Sequence, residues 1–421
     1  MQLRSYLMLR PLLQPLMRLI VARRVRQGKE DPERCGEKFG RATLARPEGR
    51  LIWLHAVGLG EVLALRPLLA ELAQQAPEMS FLVTSTARSS AQVVGANLPG
   101  NAVHQFLPLD GPVFVRRFLD HWQPDLAVWS EQDLWPGAIC DVAKRGIPLA
   151  YINARLSEDG MARRRRFQSG FTALMSRFDR IYAQDPQTAR RLSDLGVPKP
   201  EVMGSLKPAA LPLSVDDAEL EQLRHALLGR RVWVAASTHA KDEAVVLEAH
   251  QEILARDPEA LLIIAPRAPD RVGAVVEAVK ARNLTYIVRS EGGRPKPQHM
   301  VFVADSFGEL GLWYRLAQSA FVGGSFDDVG GHNPWEALCL GCPVLHGPIT
   351  HNFAQDYLDL DAAGLARCIS SGPQSAQALA AAVSEGVPVQ VTEKAASLVS
   401  AARARLTPLA ADLLSLMSRR P

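Results

Sequence analysis

A strand-like run, Leu51–His55, breaks at Ala56-Val57-Gly58-Leu59-Gly60, and Glu61 then opens an amphipathic stretch. Gly58 and Gly60 let the backbone turn sharply and let a ligand come close. Glu61 falls in a first helical turn, where the helix dipole favours its ionised form. A carboxylate at that edge suits a general base; the plain alternative is a helix-start glutamate of electrostatic value only. Glu131 and Asp133 follow another apolar run, Leu126–Trp129, and precede Leu134-Trp135-Pro136. Carboxylates at a strand's C-terminal end sit where ligands bind in open α/β sheets; the alternative is a helix-capping cluster.

A third segment, FVGGSFDDVGGHNPWEAL, suits an anion. Its strand runs into Gly323-Gly324-Ser325, then Gly330-Gly331-His332-Asn333, then a helix opened by Pro334. Backbone N–H groups of the glycines beside a positive helix terminus can hold a phosphate or carboxylate. Glu336, early in that helix, can accept bonds from ribose hydroxyls. Cations stand at similar places: Lys207 in GSLK, Arg155 after Leu149–Asn153, and Arg267 after Leu261–Ala265. Arginine at a strand end can fork onto a phosphate or carboxylate. Ser237, Thr238 and His239 end a further run and reach the same edge. The run Arg163 to Arg166 is either a solvated face or a contact for an acidic lipid.

The elements that must position these groups alternate strand and helix, which predicts parallel sheets with right-handed crossovers. Strands are expected at Leu51–His55, Phe81–Thr84, Ala102–Leu107, Leu126–Trp129, Leu149–Asn153, Arg180–Ala183 and Glu201–Met203. After a Pro-rich break at Gly204 to Pro212 the pattern restarts, with strands at Val232–Ala236, Leu261–Ala265, Tyr286–Val288, Met300–Val303, Ala320–Val322 and Pro343–Leu345. Glu393–Ser418 reads as helical. Length agrees: 421 residues predict two domains. The net charge of +4 is too small to suggest a nucleic-acid binder.

That charge is unevenly spread. Residues 1–42 hold ten Lys/Arg against four Asp/Glu, so the arm is +6 and the body −2. Arg4, Arg10 and Arg18, with Pro11 and Pro15, interrupt the arm too often for a spanning helix. The spread charges and lack of a cleavage site also exclude a secretory signal. Leu9, Leu12, Leu13, Leu16, Leu19 and Ile20 recur at helical spacing, and Arg23, Arg24 and Arg26 follow. An apolar stripe beside a basic cluster suits a helix lying on an anionic membrane; the alternative is a helix packed on its own domain. Cys339 and Cys342 form a CxxC in an apolar helix end without a second pair, so they read as buried structural thiols.

Together the segments resemble the 3-deoxy-D-manno-octulosonic acid (Kdo) transferases of lipopolysaccharide synthesis, from the arm to about Asp356. The resemblance lies in Trp53-Leu54-His55-Ala56-Val57 with Gly60-Glu61, Glu131 with Leu134-Trp135-Pro136, and Asn153-Ala154-Arg155-Leu156-Ser157. It continues in Gly204-Ser205-Leu206-Lys207, Ala235-Ala236-Ser237-Thr238-His239, Gly308-Glu309-Leu310-Gly311-Leu312, and the Gly323 to Glu336 segment. It implies an α/β fold of GT-B type, with two Rossmann-like domains facing across a cleft and an N-terminal membrane-associated helix. It also implies inverting transfer from CMP-Kdo to a lipid A precursor at the cytoplasmic face of the bacterial inner membrane. Glu61 matches the family's proposed base. Glu131 and Lys207 match functionally important positions, and the glycine-rich segment with Glu336 matches the nucleotide side. Gly308 joins the substrate-binding set on the same ground.

The chain departs from the family's usual pattern at Gly58 (usually Ser), at Glu131-Gln132-Asp133 (usually Glu-Thr-Glu) and at Ala268 (usually His). The expected division is an arm at 1–42, an acceptor domain at 43–206, a CMP-sugar domain at 207–390 and a C-terminal helix at 391–421. Neither cofactor nor metal is expected. Competing readings are another GT-B nucleotide-sugar transferase or epimerase, and a non-catalytic membrane-bound nucleotide-binding protein.

Overall fold

Strands buried on both faces read as continuous apolar runs, and that is how the sheets of this chain are built. The structure is a computed structural model and describes residues 3–86, 100–131, 134–210, 212–386 and 389–418. The chain forms two compact units, Met1–Ala210 with Ala401–Pro421, and Leu211–Ser400.

The first unit contains β1 (Leu51–His55), β2 (Ser80–Ser85), β3 (Ala102–Phe106), β4 (Leu126–Ser130), β5 (Leu149–Ala154), β6 (Arg180–Ala183) and β7 (Glu201–Val202). They form one parallel sheet in the order β3-β2-β1-β4-β5-β6-β7. Helices cover both faces. Helix Leu59–Gln75 and the C-terminal helix Leu406–Ser418 pack on one face through Leu65, Leu68, Leu69, Leu409 and Leu413. Helices Pro112–Trp122, Pro136–Lys144 and Gln168–Met175 cover the other. Pro112–Trp122 shows the local logic. Proline occupies its first turn, where an N–H would be unpaired, and Phe114, Val115, Phe118, Leu119 and Trp122 are buried at helical spacing.

The N-terminal helix, Leu3–Arg26, has two faces of different use. Leu3 and Leu7 pack against the first unit's core, and Arg10 and Val21 are buried. Arg10 donates from Nε to the Asp110 carbonyl (2.7 Å) and from Nη1 to Asp141 Oδ2 (2.9 Å). Tyr6 donates to Asp110 Oδ2 at 2.6 Å, and that buried carboxylate also accepts the Gly137 and Ala138 N–H groups, both at 2.7 Å. Met8, Leu9, Leu12, Leu13, Leu16, Leu19 and Ile20 point away and are exposed, Leu12 by 74% and Leu19 by 66%. The helix is therefore packed on its own domain and still carries an outer apolar stripe. None of the described helices is long and apolar enough to cross a membrane.

The second unit contains β8 (Val232–Thr238), β9 (Leu261–Pro266), β10 (Tyr286–Val288), β11 (Val301–Val303), β12 (Ala320–Val322), β13 (Val344–His346) and β14 (Ala366–Cys368). They too form a parallel sheet, in the order β10-β11-β9-β8-β12-β13-β14. Helices such as Ala240–Leu254 and Ser375–Glu385 cover one face, and Asp217–Ala226 and Leu310–Leu316 the other. The C-terminal stretch expected as one helix is two, Val389–Ala404 and Leu406–Ser418. Cys339 and Cys342 form no disulfide; Cys339 is only partly buried, and burial pushes the Cys342 thiol up.

Candidate active site

In an open α/β sheet the connections leave in opposite directions on either side of one strand pair, and the crevice there binds ligands. In the first unit that pair is β1 and β4; in the second it is β8 and β12. Most of the candidate residues lie on loops leaving these four strands.

Glu61 stands on the loop-to-helix turn after β1. Its Oε2 accepts the Gly58 N–H at 3.0 Å, capping the start of helix Leu59–Gln75 from within. Its other oxygen accepts no hydrogen bond among the described residues. Gly60 lies in that helix's first turn. Glu131 follows β4 in the left-handed region (φ 62°). Its Oε1 accepts from Asn153 Nδ2 at 3.0 Å. Gln132 and Asp133 lie outside the described residues.

Asn153 organises this corner, a role that its place in the sequence motif did not reveal. It is buried at φ 52°, where the pairing of β5 with β6 shifts register. Its Oδ1 accepts the Leu206 N–H at 3.2 Å and its carbonyl accepts Gln184 Nε2 at 3.0 Å. One amide thus ties Glu131 to the turn that presents Lys207, whose own N–H bonds Ser205 Oγ at 3.2 Å. Arg155, two residues on, is half-buried, and its guanidinium pairs with no described residue. The first unit therefore gathers Glu61, Glu131 and the Lys207 turn at the edge of its switch point, with Arg155 beside Asn153.

In the second unit Ser237 (φ 55°), next to last in β8, stands at a register shift against β9. A Cβ on Gly323 would stand 2.5 Å from the Ser237 carbonyl, so only glycine lets the β12 loop pass this close. The loop is held by Asp242, a fully buried residue the motifs did not single out. Its carboxylate accepts N–H groups from His239 (2.9 Å), Gly324 (2.7 Å) and Phe326 (3.0 Å). Burial pushes its carboxyl up, against the pull of those donors. An acidic residue three positions after a helix-capping position is the signal that could have found it.

Several expected donor contacts are already committed inside the fold. The Gly330 and Gly331 N–H groups both donate to the Gly324 carbonyl, at 3.1 and 2.7 Å, and His332 N donates to Gly323 O at 3.2 Å. The glycines let the loop close on itself at positive φ, so their amides do not form the expected anion nest. Ser325 is buried; its hydroxyl donates to Val322 O at 2.9 Å and accepts Gly347 N at 2.8 Å. The Thr238 hydroxyl is also buried and points at Glu243 Oε1, at 3.5 Å.

What remains presented is His332, Asn333, Glu336 and Arg267. His332 stacks on His239 with their Nε2 atoms 3.0 Å apart. Burial, reinforced by His239 and Arg267, holds His332 down at about 4, so it is neutral near neutral pH. Burial pushes the Glu336 carboxyl up, against the Asn333 hydrogen bond (3.5 Å) and the Arg267 charge. Arg271 forks onto Glu243, but the exposed Arg267 guanidinium has no described partner. Its backbone is fixed by a bond from Arg267 N to Thr238 O at 3.0 Å. Gly308 (φ 84°) stands apart, lining a pocket of about 490 Å³ with Ser214, Asp216, Glu219 and Arg289. Among the described residues no group of three His, Cys, Asp or Glu side chains is placed to hold a metal ion.

Comparison with known proteins joins these observations. The family model described as 3-deoxy-D-manno-octulosonic-acid transferase (kdotransferase) matches residues 33–210. A 3-deoxy-D-manno-octulosonic acid transferase of Rickettsia bellii is 32% identical over 346 residues, covering 82% of each chain. The enzyme of the same name from Haemophilus influenzae is 34% identical over 355 residues, covering 83% of this chain and 82% of its own. The crystal structure of UDP-GlcNAc 2-epimerase from Neisseria meningitidis aligns with 88% of this chain and 100% of its own. Its TM-score is 0.58 at 13% identity, a likeness of fold alone. With two Rossmann-like units of GT-B type and relatives of this identity over most of its length, the chain belongs to the 3-deoxy-D-manno-octulosonic acid transferases, a family of glycosyltransferases.

Proposed function

We propose that this chain moves Kdo from CMP-Kdo to a lipid A precursor, with inversion, at the cytoplasmic face of the inner membrane. The observation that carries the reading is Glu61, one carboxylate oxygen held by the Gly58 N–H and the other without a described partner, at the first unit's switch point. In this reading the unpartnered oxygen takes the proton of the acceptor hydroxyl as that oxygen attacks the Kdo anomeric carbon. Glu131, fixed by Asn153, and Lys207 orient the reacting groups. Departing CMP leaves as a phosphate anion. Arg267 suits its stabilisation because its exposed guanidinium hydrogen-bonds no described residue, and a cation is worth most where charge develops. The amides of Gly330 and Gly331 have no part in this version. A single-phosphate leaving group carries less charge than a diphosphate, so cations can serve without a metal.

The exposed stripe of Leu3–Arg26 supports the membrane part. An apolar face beside basic residues favours the interface of an anionic bilayer. Arg10 is buried in the domain, so deleting the arm would disturb the fold. The cleaner test is Leu12→Glu with Leu16→Glu, which should release the protein from anionic vesicles; unchanged pelleting would count against the stripe.

The activity is tested with purified protein, CMP-Kdo and a lipid A precursor in detergent. Product of the mass of one or more added Kdo residues is expected, and its absence sinks the reading. Glu61→Ala should lower the rate by about 100-fold or more, the usual contribution of a general base. A smaller loss removes the base role and leaves the reaction.

A further inference from the structure

The first unit has a cleft of about 590 Å³ that the chemistry above does not use. The volume is in the range of small-molecule sites, roughly 300 to 1,000 Å³. Leu3 and Tyr6 of the N-terminal helix form one wall, and Phe167, Phe171 and Leu174 form another. No Asp or Glu lines it. Two guanidiniums do: Arg163 is exposed, and Arg164 is half-buried over the Phe171 ring, 5.3 Å from its centroid. Arg164 Nη1 donates to the Gly160 carbonyl at 3.2 Å. Neither arginine is paired with a described carboxylate.

An apolar slot with two cations lacking counter-charges fits an alkyl chain attached to an anion. A nucleotide or free sugar would leave its hydroxyls unpaired against Leu3, Phe167 and Leu174, at a desolvation cost. Two positions tell which lipid. The wall residues Leu3 and Tyr6 belong to the same helix as the exposed outer stripe, so the slot borders the element a bilayer would touch. Pro136, also in the lining, starts the helix that follows the Glu131 loop, so the slot shares an element with the strand end that carries one of the proposed reaction carboxylates. A bulk phospholipid needs no such neighbour, whereas an acylated sugar that must present a hydroxyl does.

We propose that this cleft is the acyl-chain subsite of the acceptor. One acyl chain of a phosphorylated glycolipid lies against Leu3, Phe167, Phe171 and Leu174, and a headgroup phosphate sits on Arg163 and Arg164. The proposal rests on the acceptor reading above and adds where its lipid is held.

The probe is dodecyl phosphate below its micelle concentration, titrated into the full chain by calorimetry. It should bind at least about tenfold more tightly than inorganic phosphate, because burying alkyl carbons adds affinity. Phe167 and Arg163 are both exposed, so Phe167→Glu and Arg163→Glu should fold. Each should weaken dodecyl phosphate and raise the acceptor KM, by about tenfold, while the donor KM and vesicle pelleting stay at wild-type values. The acceptor lipid should displace the probe, and phosphatidylglycerol of equal chain length should not. Unchanged probe binding in both variants would overturn the subsite. Equal displacement by both lipids, or a rise in acceptor KM that tracks lost pelleting, would make it a general membrane contact instead. If wild type makes no Kdo product at all, the proposed reaction fails, and the titration still reports on the cleft.

Discussion

The two units meet the same problem differently. Each must hold two loops together at the switch point of a parallel sheet, and each uses one strand end with a non-glycine residue at positive φ, Asn153 (52°) or Ser237 (55°). In the first unit the bulged residue does the fastening: both ends of the Asn153 amide are bonded, to Glu131 and to Leu206. In the second, the Ser237 side chain bonds no described residue, and the buried Asp242 carboxylate gathers three backbone N–H groups instead. The difference has a physical reason. The neutral Asn153 amide donates to the Glu131 carboxylate, where an anion in its place would repel it. Where three backbone N–H groups must be gathered, a carboxylate is the stronger acceptor.

The comparison breaks first at Asp242. Asp242→Ala orphans three N–H groups, two of them buried, which should cost about 3 kcal/mol. Hydrogen exchange at Gly324 and Phe326 should quicken while the first unit's strands stay protected. Unchanged exchange at those two amides would mean the loop is held by something else. The Asn153→Asp variant asks whether neutrality matters in the first unit. The new carboxylate would stand about as near to Glu131 as the amide does, so the pair would share a proton and titrate together. Activity should fall about tenfold or more near neutral pH and recover as pH is lowered. A merely structural defect would leave the shape of the pH profile unchanged.

These fasteners were the least legible part of the sequence. Glu61 and Glu131 could be read because continuous apolar runs such as Leu51–His55 and Leu126–Trp129 mark buried parallel strands, and the residues just past them line the crevice. Asn153 could not, because its partner Leu206 lies 53 residues away and only folding joins them. Gly330 and Gly331 show the converse. The glycines read as an anion site, but which way an amide faces depends on loop closure, and here both turn inward to Gly324. The arm was half legible. Its outer leucines formed a visible stripe, whereas Arg10, which reads as solvated in sequence, is the buried side chain that docks the helix. Edge strand β14 was missed because only one of its three residues is buried.

Acid should test the second unit harder. His250 is fully buried: its Nδ1 accepts from Trp233 Nε1 at 3.2 Å, and its Nε2 lies 2.8 Å from the Met300 carbonyl. A second proton on that ring would oppose one donor to another, and burial holds His250 down at about 4. His332 is likewise at about 4, and His104 of the first unit at about 3. These folded values lie below the unfolded value near 6.5, so the unfolded chain takes up protons first. The contribution to stability is complete above about pH 6.5 and is lost as pH falls towards the folded values. At about pH 5 the fully buried His250 alone should cost about 2 kcal/mol, and half-buried His332 less. Urea unfolding at about pH 7.5 and 5 should show the loss, and His250→Gln should shrink the difference. An unaltered difference in that variant would exclude the ring as its source.

The smallest effect gives the sharpest contrast, because its sign should differ between the two strand ends. A non-glycine residue in the left-handed region costs about 1 kcal/mol, and Asn153 and Ser237 both pay it. Ser237→Gly removes the strain and breaks no described bond, so after the added freedom of the unfolded chain it should be neutral or stabilise slightly. Asn153→Gly removes the same strain but unties Glu131 and the Leu206 turn, and should destabilise by about 1–2 kcal/mol. Equal signs in thermal unfolding would show that the two bulges are equivalent and that the fastening role of Asn153 has been misjudged. The kinetics of Ser237→Gly then decide what that strain is for. A raised CMP-Kdo KM in a protein that is no less stable would mean the backbone is held at positive φ to aim the hydroxyl at the donor. Unchanged kinetics would remove Ser237 from the donor site and leave the tight passage beside Gly323 as the reason for the bulge.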